Sequence, residues 1–345
     1  MRISRRDFLK AATITGSFAC DLLDHYVEAL DIKRKCDQMA AIFAGKMPCA
    51  SSFVPGGITE APDEQKISDF GALLRSVQLF IDSTFVPDVQ DLTGLSEFAD
   101  YFSIGAGCGN LISLGGFDLD DTSEPARLFA RGRLTGSALG DVDASGLFER
   151  IDYSWYDGSA VASLLSSRVS QYPSYDSNPS GYSWVKSPRY ENGVYETGPL
   201  ARMKINGDYS GGVSVFDRLL SRAFESSKIA DAMVGWLDEL TIGGEVYEKP
   251  IFPEDNIDDA SRVGLIESPG GALAHKIRVS LYSSIFYTYN VITATTWNAS
   301  PKDNLGQYGP IEQALVGTVV NDMANPIELM RVVHSFDPCS ACAVH

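Results

Sequence analysis

Residues 337–345 read Asp337-Pro338-Cys339-Ser340-Ala341-Cys342-Ala343-Val344-His345, and they carry the clearest chemical signal in the chain. Two cysteines separated by two residues can direct both sulfur atoms at one metal ion, and a histidine three residues further on can reach the same neighbourhood. The spacing alone leaves three interpretations open, which are half of a zinc site, a redox-active dithiol and an ordinary disulfide. A structural zinc site needs four ligands, but the remaining four cysteines contain no second CxxC pair.

A short helix is predicted immediately before this stretch. Asn325-Pro326-Ile327-Glu328 has the composition of a helix N-terminus, with asparagine as the capping residue, proline in the first turn and glutamate three residues after the cap. This helix would deliver the residues from His334 to Cys339 as an ordered loop rather than as a frayed tail.

Further upstream, three segments have the apolar spacing of amphipathic helices. The spacing predicts helices over residues 22–43, ending at Gly45, over residues 67–80, stopped before Pro87, and over residues 213–240. From Gly105 to about Gly198, glycine, serine, aspartate and tyrosine are frequent and the apolar runs are short, which favours short strands and long loops.

Charge and hydropathy exclude two classes of function. The 345 residues contain 28 Lys and Arg against 45 Asp and Glu, giving a formal net charge of −17. A surface this acidic repels phosphate backbones, so the chain is not expected to bind nucleic acid. No window approaches the roughly 18 uninterrupted apolar residues of a membrane-spanning helix, so we expect membrane association only through partners.

The N-terminus has the layout of an export signal. Ser4-Arg5-Arg6-Asp7-Phe8-Leu9-Lys10 precedes a mildly apolar run, and this order matches the twin-arginine form. The alternative is a basic amphipathic helix start. We predict a signal segment over residues 1–20, followed by one domain over residues 21–345, and a location in the periplasm or on the outer face of the cytoplasmic membrane.

Several ordered blocks together resemble the back part of the large subunit of nickel–iron hydrogenases. The tail from Asp337 to His345 matches the C-terminal signature of that family. The other matching blocks are residues 182–190 (YSWVKSPRY), 198–202 (GPLAR), 267–275 (ESPGGALAH), 296–303 (TWNASPKD) and 309–318 (GPIEQALVGT). The resemblance implies an α+β, predominantly helical fold, a helical bundle with peripheral short strands and long loops.

The resemblance also implies a dinuclear nickel–iron centre, with cyanide and carbon monoxide on the iron, that splits dihydrogen. Cys339 matches the terminal nickel thiolate, Cys342 matches the thiolate that bridges the two metals, and Asp337 matches a carboxylate beside them. Thr295 and the backbone near Pro269 match groups that hydrogen-bond the cyanides. His345 and the carbonyl around Val291 match ligands of a separate magnesium ion. An iron–sulfur small subunit would carry the electrons away.

The sequence departs from the family pattern in ways that bear on activity. The family has a second CxxC pair in a front portion, and no cysteine pair of this chain replaces it. Gly270 occupies the position of an arginine that lies over the metals. We therefore expect the C-terminal part of a large subunit, truncated at its front and completed by a separate polypeptide that supplies the missing pair. The alternative is an inactive remnant that serves as a structural or interaction protein.

If the tail is a relic, we expect it to splay into solvent or to close a Cys339–Cys342 disulfide. If the tail still builds metal ligands, different expectations follow for its structure. Cys339 and Cys342 should be reduced, buried and close together, and they should lie against the segments around Thr295 and Pro269, with His345 turned inward. A buried thiolate pair needs nearby donors or a cation, because its charge is otherwise costly to desolvate.

The twin-arginine interpretation predicts that replacing both Arg5 and Arg6 with lysine leaves the protein in the cytoplasm, because lysine does not reproduce the planar guanidinium. Cell fractionation with immunoblotting measures this, and Arg2→Lys, which changes an arginine outside the pair, is the matched control. Unchanged export of the Arg5→Lys/Arg6→Lys double variant would show that the N-terminal interpretation is wrong.

Overall fold

The computed structural model describes residues 16–166, 170–249, 260–280 and 285–343. Their contacts divide the chain into two compact units. The first unit comprises the described residues of Met1–Leu95 and Ala223–Phe252, and the second comprises those of Ser96–Arg222 and Pro253–His345. Residues 1–15 lie outside the described residues, and with them the twin-arginine motif.

The first unit is mainly helical. In its first segment, up to Leu95, the elements are α1 (Gly16–Ala44), the strands β1 (Phe53–Val54) and β2 (Gly57–Ile58), α2 (Glu64–Phe80) and α3 (Val86–Gly94). Helices α1 and α2 pack together around Ile32, Val77 and Phe80. The helix predicted over residues 22–43 is confirmed, and Gly45 follows its end with a positive φ of 76° that glycine adopts without strain.

The helix predicted over residues 67–80 is confirmed as α2, but the expectation that the helical course stops before Pro87 is wrong. A π-helical turn, Ile81–Phe85, continues α2 directly into α3, whose first turn contains Pro87. A proline is tolerated there because the wider π turn changes the hydrogen-bond register at the start of α3. Pro87 therefore marks a junction between helices rather than the end of one.

Helix α5 (Val215–Glu239) confirms the helix predicted over residues 213–240. It begins in the second unit and ends in the first. Its start is well fixed, because Ser214 accepts a hydrogen bond from the amide of Asp217 (3.1 Å) and Asp217 accepts one from the hydroxyl of Tyr209 (2.6 Å).

Antiparallel strands and loops fill the stretch between Gly105 and Gly198. The strands are β3 (Leu111–Asp118), β4 (Arg127–Thr135), β5 (Ala138–Gly140), β6 (Leu147–Arg150), β7 (Tyr156–Gly158), β8 (Val161–Ser163), β9 (Gln171–Pro173) and β10 (Ser187–Tyr190). They form sheets in the orders β3-β4-β5, β10-β6-β8 and β7-β9. The strands from β5 to β10 are short, as the composition predicts, whereas β3 and β4 have 8 and 9 residues and are longer than expected. Helix α4 (Pro199–Ile205) follows and packs on β3 and β4.

A three-stranded antiparallel sheet, which the sequence reasoning missed, leads to the C-terminal helices. It consists of β11 (Ala260–Ser268), β12 (Gly271–Ser280) and β13 (Ile285–Ile292). The remaining elements are α6 (Ala294–Asn298), α7 (Pro310–Leu315), α8 (Ile327–Ser335) and α9 (Ser340–Ala343).

The final capped helix is only partly as predicted. Helix α8 forms, but Pro326 stands at the capping position and makes no side-chain hydrogen bond, so Asn325 is not the cap. Asn325 contributes its backbone instead, because its carbonyl accepts from the amide of Ile327 (2.8 Å). Proline at the cap leaves one amide fewer to satisfy.

The expected α+β class with a predominance of helix is confirmed. Among the described residues, no helix combines the length and the apolar character needed to cross a membrane. The main core of the second unit joins β3, β6, β12 and the helix α6, and its largest side chain, Trp297, is 1% exposed.

One buried arginine ties that unit together. Arg189 and Asp303 are both fully buried, and Arg189 Nε donates to Asp303 Oδ2 over 2.7 Å. The rest of the guanidinium donates to the carbonyls of Pro188 (2.8 Å), Pro301 (3.3 Å) and Gln307 (3.3 Å). A buried charge of this kind is tolerated because every side of it meets an acceptor.

Replacing Arg189 with methionine leaves Asp303 buried without its cation, so we expect a loss of about 3–5 kcal/mol in the free energy of unfolding. Urea unfolding followed by circular dichroism measures it. The control is Arg34→Met, which removes an exposed ion pair with Asp31 and should leave the free energy of unfolding nearly unchanged. Equal losses in the two variants would contradict the role given to the buried pair.

Candidate metal centre

The two cysteines of the tail lie side by side as free thiols. Cys339 precedes α9 and Cys342 belongs to it, and their Sγ atoms are 2.7 Å apart. The amide of Cys342 also donates to the carbonyl of Cys339 (3.2 Å). One turn of helix therefore turns both sulfurs to the same place, as the CxxC spacing predicts. The disulfide alternative is not what the structure holds.

Helix α6 holds this turn from the other side. Thr295 Oγ1 accepts a hydrogen bond from the amide of Cys339 (3.1 Å), and Thr293 Oγ1 donates to the carbonyl of Cys342 (3.0 Å). Thr293 is also the N-cap of α6, where its hydroxyl accepts from the amide of Thr296. The predicted proximity of the pair to Thr295 is thus observed, whereas the contact with Thr293 was missed by sequence reasoning.

The expectation that both cysteines are buried is wrong. Cys339 is exposed and Cys342 is half-buried. The pair begins a four-residue helix of small side chains, and Ser340 and Ala341 beside it are exposed as well. Such a helix has no large apolar face to press it into the core. The sulfurs therefore face outward, with hydrogen bonds holding the backbone beneath them.

The two thiols ionise as a pair. The hydrogen bond from the Cys342 thiol, followed by the backbone amide of Cys342, lowers the pKa of Cys339. The same side-chain hydrogen bond, with partial burial, raises the pKa of Cys342 to about 11. Cys342 therefore keeps its proton to higher pH than Cys339, and a metal ion that binds both sulfurs must displace the thiol protons that remain.

Asp337 is exposed and adopts a left-handed backbone conformation, with φ of 51°. Its amide donates to the carbonyl of His334 (2.9 Å), which closes the end of α8. Pro338 follows with its fixed φ. These two residues turn the chain sharply from α8 into the cysteine pair.

Pro269 lies in the turn between β11 and β12, and its carbonyl is already engaged. Arg202, which is 3% exposed, donates to that carbonyl (3.0 Å), to the carbonyl of Ser268 (3.0 Å) and to Glu267 Oε2 (2.7 Å). In the same turn, a Cβ added to Gly270 would meet the Cβ of Ala294 at 3.4 Å and no other atom of the described residues within 4 Å.

Val291 belongs to β13 and lies two residues before Thr293, which caps α6. It pairs with His275 of β12. His275 Nδ1 forms a hydrogen bond with the hydroxyl of Tyr289 (2.6 Å). His345 lies outside the described residues. Within the described ranges, no group of three or more histidine, cysteine, aspartate or glutamate side chains is placed to hold a metal ion.

The donor set fits a soft metal only in part. Two thiols suit nickel or iron, but a closed site needs about four ligands, so the described residues supply half of one. The geometry can contribute two sulfurs to a metal, and it leaves their outer side open to further ligands.

Comparison with known proteins identifies the family. The model of the family described as nickel-dependent hydrogenase matches residues 11–212 and 204–345. The chain belongs to the nickel-dependent hydrogenase family.

Among curated members of this hydrogenase family, the chain is 34% identical to the periplasmic NiFeSe hydrogenase large subunit of Desulfomicrobium baculatum, over 94% of this chain and 66% of the relative. It is 28% identical to the hydrogenase-1 large chain of Escherichia coli K12, over 93% and 63%. The chain thus spans slightly less than two thirds of either relative.

Solved structures of hydrogenases in this family share the fold. The reduced Ni-Fe-Se hydrogenase of D. vulgaris Hildenborough superposes with a TM-score of 0.88 at 30% identity, covering 96% of this chain and 72% of that one. The resemblance of the fold to a hydrogenase large subunit is therefore confirmed.

The exposure of the pair predicts the order in which thiols react with a maleimide. Cys339 and the exposed Cys49 should be labelled first. Cys108 should be labelled last, because burial raises its pKa to about 12 and leaves about one thiolate in ten thousand at pH 8.

Peptide mass spectrometry of timed samples of the native chain measures these rates, and labelling in urea is the control in which all should react. Labelling of Cys108 as fast as that of Cys49, or protection of both tail cysteines until a reductant is added, would contradict the structure.

Proposed function

We propose that this chain is the C-terminal part of a nickel–iron hydrogenase large subunit and that it supplies two thiolates to the nickel–iron site. One observation carries the proposal: the family's cysteine pair is present as two adjacent free thiols whose backbone is held by Thr293 and Thr295. When bound, the dinuclear centre would provide the redox chemistry for the reversible oxidation of dihydrogen.

The exposure of Cys339 supports completion by another polypeptide. A metal held by these two sulfurs would have an open side, and the described residues offer no third ligand. We infer that a separate polypeptide brings the second CxxC pair and covers this side.

The remaining residues of the site receive roles by the same reasoning. Cys339 would be the terminal nickel ligand and Cys342 the bridge to iron, with the Asp337 carboxylate nearby. The Thr295 hydroxyl and the backbone at Pro269 would face the cyanide ligands of the iron. His345 and the carbonyl of Val291 would contribute to a magnesium site.

The thiols of Cys339 and Cys342 differ in exposure and pKa, and these differences indicate which of them would release or accept a proton. Cys339 and Cys342 would lose their thiol protons on holding a metal, because a thiolate is the ligand form. Cys339 is the more exposed sulfur of the two and would be the better placed to accept a proton.

The proposed partners are the iron–sulfur small subunit, which would accept electrons, and the completing polypeptide. We also propose export by the twin-arginine route to the periplasm, which the Ser4–Lys10 motif and the periplasmic relative both support.

The isolated chain should show no hydrogen-dependent dye reduction, because it carries half of the thiolates. Co-expressed with the small subunit and the completing polypeptide, it should contain near-stoichiometric nickel and reduce the dye. Cys342→Ser should abolish both readings, whereas Cys49→Ser, which removes an exposed cysteine of the first unit, should change neither.

Metal analysis separates the enzyme from the structural alternative. Absence of nickel from every preparation that contains the partners would leave only a structural or interaction role. Robust activity of the isolated chain would instead contradict the account of the missing ligands.

A further inference from the structure

We propose that Arg218 is a positioning residue for the cysteine pair: by clamping Ser335 and Phe336 it fixes the segment from which Cys339 reaches Thr295. The inference concerns the tail of this chain, and only its bearing on metal binding rests on the proposed function.

The clamp starts from a rigid base. Arg218 lies in the first turn of α5 and is 3% exposed. Its Nε and Nη2 each donate over 2.7 Å to one oxygen of Glu196, which is 2% exposed. Two parallel charge-assisted bonds of this kind fix the plane of the guanidinium.

The free side of that guanidinium holds the end of α8. Nη1 donates to the carbonyl of Gly105 (2.7 Å) and, over a longer 3.4 Å, to the hydroxyl of Ser335. The central carbon lies 3.7 Å from the centroid of the Phe336 ring, which is close for a cation–π contact. Arg222, one turn further along α5, donates to the carbonyl of Ser335 (3.1 Å).

Only two residues separate Phe336 from Cys339, and both are restricted. Asp337 is in the left-handed region and Pro338 has a fixed φ. Because these two residues have little torsional freedom, a displacement of Phe336 also displaces Cys339. The amide of Cys339 then meets Thr295 Oγ1 at 3.1 Å, so the pair is fixed at both ends.

Lysine at position 218 keeps the charge but loses the planar fork, so the clamp should open while the fold remains. In Arg218→Lys, we expect hydrogen–deuterium exchange of peptides covering residues 336–343, and maleimide labelling of the half-buried Cys342, to accelerate about ten- to a hundredfold. Exchange in α1 and in the β11–β12 hairpin should stay unchanged.

The matched control is Arg189→Lys, which alters a buried arginine–carboxylate pair of the same unit that does not touch the tail. Its tail exchange and Cys342 labelling should stay within about twofold of the parent chain. If Arg218→Lys does not fold, Phe336→Leu removes the ring from the same contact and keeps an apolar side chain, and it should accelerate both readings several-fold.

The two proposals fail in different ways. Unchanged tail exchange and labelling in folded Arg218→Lys, or equal acceleration in Arg189→Lys, would overturn the positioning role whatever the metal content. If exchange and labelling of the tail accelerate but no preparation that contains the partners holds nickel, the positioning role of Arg218 stands and the proposed function is rejected. With both proposals correct, Arg218→Lys also lowers the nickel retained by the complex after dialysis against a chelator.

Discussion

The architecture of the second unit depends on one physical requirement, that a guanidinium removed from water needs acceptors within the protein. Arg189, Arg202 and Arg218 each meet it with a carboxylate and at least one backbone carbonyl, and each joins segments far apart in the chain. The pairs are Arg189 with Asp303, Arg202 with Glu267 and Arg218 with Glu196. Because half-satisfied charges are so costly in a protein interior, loops that would otherwise be mobile are confined to one arrangement.

These pairs also explain how a loop-rich segment positions a site. Between Gly105 and Gly198 the strands other than β3 and β4 have three or four residues, and strands this short specify their register weakly. Arg202 anchors the β11–β12 turn that contains Pro269, and Arg218 anchors the end of α8. The two segments that carry proposed site residues are thus each held by a charge rather than by apolar packing alone.

The sequence was informative where a periodic pattern or a local spacing decides the structure. Apolar periodicity predicted α1 and α5, and the CxxC spacing placed both sulfurs of the tail together. The error at Pro87 arose because a proline that ends a helix and a proline that begins one have the same local signature, and only the π-helical turn decides between them. The β11–β13 sheet was missed because residues 260–292 were not recognised as having the alternating apolar pattern of strands.

The identity of the two cysteines could be predicted from the sequence, but their burial and the residues that hold them could not. Sequence reasoning singled out Cys339 and Cys342, but it expected them to be buried, since burial is decided by what packs over a residue and not by the residue itself. Thr293 and Arg218 gave no local signal, because a threonine before a helix and an arginine in a helical first turn are ordinary surface residues in most proteins. Only their tertiary contacts with the tail reveal what they hold.

The backbone at Asp337 has an energetic implication. At φ of 51°, an aspartate is less favourable than glycine, by about 1 kcal/mol in the conformational free energy of the folded chain. Glycine would ease the turn and would also make the unfolded chain more flexible. Aspartate at this position therefore combines a left-handed backbone with an exposed carboxylate two residues from the Cys339 thiol.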